Sequence, residues 1–110
     1  VIDTNTQGVV LSTAAATANF TVNLRGDGSN SLDASMDTGE SVTVAYISKQ
    51  NATAYYNTTV QVDGSTVTPV WQGGSAPSSG NVTSNDVYTF TAIKTASSTF
   101  TVLAAQTQFA

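Results

Sequence analysis

Phe20, Val22 and Leu24 alternate with Thr21 and Asn23. A two-residue period puts successive side chains on opposite faces, so residues 19–25 predict a half-buried strand. The same alternation recurs over residues 41–49, where Val42, Val44 and Tyr46 oppose Thr43, Ala45 and Ile47. Both sets there are fairly apolar, which places that strand centrally. Over residues 86–94, Tyr88, Phe90 and Ala92 oppose Val87, Thr89, Thr91 and Ile93. Residues 95–98 read as a turn, and residues 100–104 as a last strand lying antiparallel to the one before. Residues 8–12 predict a short first strand, and residues 13–18 a small-residue connector.

Turn chemistry sharpens this reading. Residues 58–62 and 65–68 flank Asp63-Gly64. Asp-Gly between alternating runs marks a hairpin, because glycine reaches positive φ at little cost. Pro69 has no N–H to give a ladder, so it belongs at a strand end or a sheet edge. Residues 26–39 and 72–84 are rich in Gly, Ser and Asn and read as loops. Within the first, Leu32 and Met36 stand four apart, the spacing of one helical turn. Six to eight short strands at this spacing predict an all-β antiparallel sandwich, Ig-like or jelly-roll-like. Its expected core is Phe20, Val22, Leu24, Val42, Val44, Phe90, Phe100 and Val102.

Composition agrees. The chain has 110 residues, enough for one domain (residues 1–110) and too few for two independent cores. It is rich in β-branched Thr and Val and poor in the strongest helix formers. Three basic residues, Arg25, Lys49 and Lys94, and a net charge of −4 leave no cationic face for nucleic acid or an anionic membrane. No apolar run approaches the roughly 20 residues of a membrane span. The chain opens on Val1 with no visible signal peptide, and is expected to be the C-terminal part of a longer polypeptide.

The chemistry the chain lacks is equally informative. It has no His and no Cys. Ser-His-Asp and Cys-His catalysis and the usual zinc sites are therefore unavailable, and no enzyme activity and no cofactor are expected. Asp27, Asp33, Asp37 and Glu40 crowd one loop, yet their spacing fits no EF-hand and no aromatic residue stands beside them for a sugar ring. The solvated acidic loop is the preferred account. Arg25-Gly26-Asp27 spells an integrin-binding tripeptide, but a strand end followed by a Gly turn explains it. Asn-X-Ser/Thr sequons at Asn19, Asn51, Asn57 and Asn81 are weak evidence of secretion in so Ser- and Thr-rich a chain. The residues best suited to touch a partner or receptor are Tyr55, Tyr56, Trp71 and Gln72, because aromatics are enriched at contact surfaces. The opposing account puts Trp71 in the core.

From Ala54 onward the chain resembles a C-terminal module of virion structural proteins from marine tailed phages of the cyanophage type. The residues that carry the resemblance are Ala54-Tyr55-Tyr56, Val62-Asp63-Gly64, Ala76-Pro77, Asp86-Val87-Tyr88, Ile93-Lys94-Thr95 and the closing Thr107-Gln108-Phe109-Ala110. Its densest block is Thr68-Pro69-Val70-Trp71-Gln72-Gly73-Gly74. Asn19-Phe20-Thr21, Leu24-Arg25-Gly26 and Gly39-Glu40-Ser41 also fit. Val70 stands where the family often carries Lys, so a charge-based role does not carry over at that position.

The resemblance implies a particle component on the virion exterior: tail, fibre or head decoration. Its implied partners are other copies of itself and neighbouring virion proteins, in a symmetric homo-oligomer. A host surface glycan or receptor forms a second class of partner. A carbohydrate- or receptor-binding tip and an Ig-like domain of a bacterial surface protein are the alternative functions.

Overall fold

The computed structural model describes residues 2–4, 8–11, 17–27, 29–50, 52–80, 82 and 84–109. The alternating runs become strands that stack in two sheets. The smaller sheet contains β1 (Ile2–Asp3), β3 (Phe20–Arg25), β5 (Asn57–Val62) and β6 (Ser65–Val67), side by side in that order. The larger runs β2 (Val9–Leu11), β4 (Ser41–Lys49), β8 (Asn85–Ala96), β9 (Thr99–Phe109) and β7 (Val70–Trp71). The chain is thus all-β and sandwich-like, as the periodicity predicts.

The sheets are mixed, which corrects the antiparallel expectation. β4 with β8, β8 with β9, and β5 with β6 are antiparallel. β1 with β3, β3 with β5, β2 with β4, and β7 with β9 are parallel. The parallel pairs join segments far apart in sequence, which local turn signals do not report. The hairpin turn falls at Asp63 (φ 51°) and Gly64 (φ 81°), the two positive values that the tight hairpin turn demands. Pro69 lies between β6 and β7, outside both strands.

The inward faces form one core. Val22, Leu24, Val60 and Val62 of the smaller sheet meet Val44, Tyr88, Phe90, Ala92, Val102 and Ala104 of the larger. Phe20, Val42 and Phe100, expected inside, are only half-buried and pack against the core from its margin. Leu32 and Met36 join it from the loop, where one helical turn, α1 (Leu32–Ser35), brings them inward. Most of the predicted connector at residues 13–18 lies outside the described residues, as do the sequons at Asn51 and Asn81. Asn57 is 2% exposed, so its sequon is closed to glycosylation in the folded chain.

The loop before β4 is fastened by polar contacts. The Asp63 carboxylate accepts from the N–H groups of Leu32 (2.6 Å) and Asp33 (3.0 Å), and Ser31 Oγ accepts from Ala34 N (3.0 Å). The hairpin turn of one sheet therefore helps cap α1. Lys94, turned inward from β8, donates its ammonium to the carbonyls of Asp33 (2.8 Å) and Met36 (2.9 Å) and pairs with Asp33 Oδ1 (2.9 Å). This hydrogen bond, then a second from the Ser98 N–H, holds the Asp33 carboxyl below its ordinary value.

Candidate functional site

The most distinctive surface is the outward face of the larger sheet. Register fixes its rows. Ser41, Ile93 and Thr101 are neighbours; next come Thr43, Thr91, Leu103 and Val70; then Ala45, Thr89 and Ala105; then Ile47, Val87 and Thr107. None of these side chains is charged. Val70 and Leu103, 59% and 44% exposed, are paired on it, and Thr43 and Thr91 share a 3.0 Å hydroxyl hydrogen bond. At a strand spacing of ~4.8 Å and a two-residue repeat of ~6.8 Å, these rows cover roughly 400–500 Å².

The edge beside this face is only partly covered. β9 runs over residues 99–109 with neither a charge nor a proline, and β7 pairs only with its Leu103 and Ala104. Edges of monomeric sheets are commonly guarded by Lys, Pro or inward charges; here Pro69 directly precedes the two-residue edge strand β7, and Gln106 and Gln108 of β9 hold the loop at Ser79.

Trp71 is half-buried at the margin of the sandwich, its ring edge-on to Phe90 at a centroid distance of 6.3 Å. It is therefore part of the core margin and also a wall of a groove of about 380 Å³, which exposed Gln72 lines with it. Opposite stand Gln106 and Gln108 from β9, with Ser75, Pro77, Ser78 and Ser79 of the long loop. Gln106 Nε2 donates to Ser79 O and to the Tyr88 hydroxyl, both at 2.9 Å, and Gln108 Nε2 donates to Ser79 O at 3.3 Å. The two glutamines escape a reading by hydrophobic alternation, because apolar residues stop alternating after Ala105. Their i, i+2 spacing is the one signal that would have put them on one strand face.

Tyr55 and Tyr56 do not line this groove; they precede β5, and both are half-buried. Buried Gln50 anchors the first, accepting from Tyr55 N (3.0 Å) and donating to Tyr55 O (2.5 Å) and to buried Asp86 Oδ2 (2.8 Å). Gly80 closes on this cluster, where an added Cβ would run into Tyr55 O and approach Gln50 Nε2 at 2.8 Å. Asn19 Oδ1 holds Tyr56 N at 3.1 Å. The structure thus brings Trp71 and Gln72 together and separates them from the tyrosine pair. Burial holds the Tyr88 phenol above its ordinary value, against the opposing hydrogen bonds from Asn57 N and Gln106.

The other sequence motifs turn inward. In Arg25-Gly26-Asp27, Arg25 pairs with Asp3 at 2.5 Å, a bond that raises the guanidinium above its ordinary value. A Cβ on Gly26 would meet Asn30 O and Ser35 Oγ at 2.6 Å. Asp27 Oδ1 accepts from Ser29 N and Asn30 N, each at 2.8 Å. This is a closed turn, not a presented tripeptide. Glu40 Oε1 accepts from Asp37 N at 2.5 Å, so Asp27 and Glu40 serve the loop's own backbone, while Asp33 binds Lys94 and the Ser98 N–H.

Comparisons with protein-family models, curated proteins and solved structures return no match.

Proposed function

We propose that the domain is a non-catalytic assembly module of a tailed-phage particle, packing against copies of itself or a neighbouring virion protein through the outer face of the larger sheet. The observation that carries the assembly part is those four charge-free rows, bordered on the next row by exposed Lys49. Solvated sheet faces of acidic proteins ordinarily carry charge, and here four consecutive rows carry none while the acids lie elsewhere. Two like-charged copies can meet there without opposing charges of the same sign. An area of roughly 400–500 Å² is about half the usual share of a stable two-body interface. Single contacts are therefore weak, and symmetric repetition makes them strong.

The particle assignment is supported by the order of the motifs around Thr68-Pro69-Val70-Trp71-Gln72-Gly73-Gly74. The absence of His and Cys supports a non-catalytic role. Two of the three basic residues are engaged, Arg25 with Asp3 and Lys94 with Asp33, which supports a partner other than nucleic acid. The test is proteomics of particles purified from the source of the sequence, followed by labelling with an antibody against the domain. The expected result is a virion protein labelled at repeated, symmetric positions. Recovery only from the particle-free cell fraction contradicts the reading.

A further inference from the structure

The groove beside Trp71 borders the outer sheet face, sharing Trp71 and Gln72 with it, but the rest of its lining, including Ser75, Ser79, Gln106 and Gln108, is its own and specifies a ligand. We propose that it binds a short neutral saccharide. Three features carry this.

First, no Lys, Arg, Asp or Glu lines it. An anionic or cationic ligand would lose its hydration there without a counter-charge.

Second, the polar groups are hydroxyls and amides held in place. Both glutamine amide nitrogens are committed to Ser79 O, and Gln106 also to the Tyr88 hydroxyl. Among the described residues neither Oε1 has a partner, so fixed acceptors stand ready for ligand O–H donors. The ordering cost of the amides has already been met within the fold.

Third, a single aromatic ring, Trp71, is steadied by its contact with Phe90 and offers the apolar surface on which the C–H side of a sugar ring can lie. A volume of about 380 Å³ is near the low end for small-molecule sites. A proline-rich peptide would call for a groove with several aromatics, and Trp71 is the only one in the lining.

The chain has one tryptophan, so at protein concentrations far below those of self-association its emission reports on the groove. The experiment titrates the domain with maltotriose, cellotriose and tri-N-acetylchitotriose up to about 20 mM, a range that captures millimolar affinity. Gluconate and a proline-rich decapeptide are titrated in parallel. The expected result is a saturable emission change with at least one trisaccharide and none with gluconate. Gln108→Ala and Gln72→Ala, both at exposed positions, should each weaken that binding about three- to tenfold at an unchanged melting temperature. The proposal is overturned if no trisaccharide gives a saturable change, if the change is undiminished in both Gln variants, or if the peptide alone binds. Because the assembly test substitutes Thr89 and Leu103, which do not line the groove, failure here leaves the assembly reading standing.

Discussion

Phe90 has no solvent exposure, lies parallel to Tyr88 and meets the edge of Trp71. Phe90→Ala should cost about 3–5 kcal/mol, because the sandwich closes on this ring from both sides. Phe100, drawn to the core margin and half-buried, should cost only roughly 1–2 kcal/mol on the same change. Urea denaturation of the two variants checks the order, and a larger loss for Phe100→Ala would contradict it. Periodicity made both residues legible as inward-facing. It could not rank them, since alternation gives the face of a residue and not its distance from the sheet margin. Trp71 shows the same limit. Its contact with Phe90 depends on β7 pairing with β9 across about thirty residues of sequence, a placement that no local signal encodes.

Among the elements, the turn at Asp63-Gly64 does two jobs. It closes the β5–β6 hairpin, and the Asp63 carboxylate caps α1. Asp63→Ala should cost about 1–2 kcal/mol, whereas Asp63→Asn, which keeps a side-chain acceptor and tolerates positive φ, should cost less. Equal losses would mean that the cap contributes nothing. The turn was readable from its flanking alternation; the cap was not, because it joins loops thirty residues apart.

The same loop gives a pH dependence. The Asp33 carboxyl is held below its ordinary 3.8 in the fold by Lys94 and the Ser98 N–H, so its contribution is fully present above that value. It is lost as pH falls through the depressed folded value. Acid unfolding followed by circular dichroism should show this loss below pH 3.8, and Lys94→Met should flatten it. An unaltered acid limb in the variant would dissociate the Asp33–Lys94 contact from stability.

At the scale of the whole molecule, the sequence reading reached the fold class and stopped short of topology. Alternation and the Asp-Gly turn located most strands, but four of the pairings are parallel and bring together segments that no hairpin connects. β9 continues through Ala105 to Phe109, where Ala and Gln supply little β-propensity and the pairing with β8 sustains the strand. The uncharged rows of the outer face were hidden for the same reason: they exist only once β4, β8, β9 and β7 are in register. The proposed assembly role rests on that face, and sedimentation equilibrium of the domain tests it most directly. The wild-type chain should self-associate weakly, with a Kd of about 0.1–1 mM, as a patch of roughly 400–500 Å² allows. The double variant Thr89→Lys/Leu103→Lys should be monomeric at an unchanged melting temperature. A wild-type chain that remains monomeric throughout this range, or a variant that associates as well as the wild type, would contradict the account.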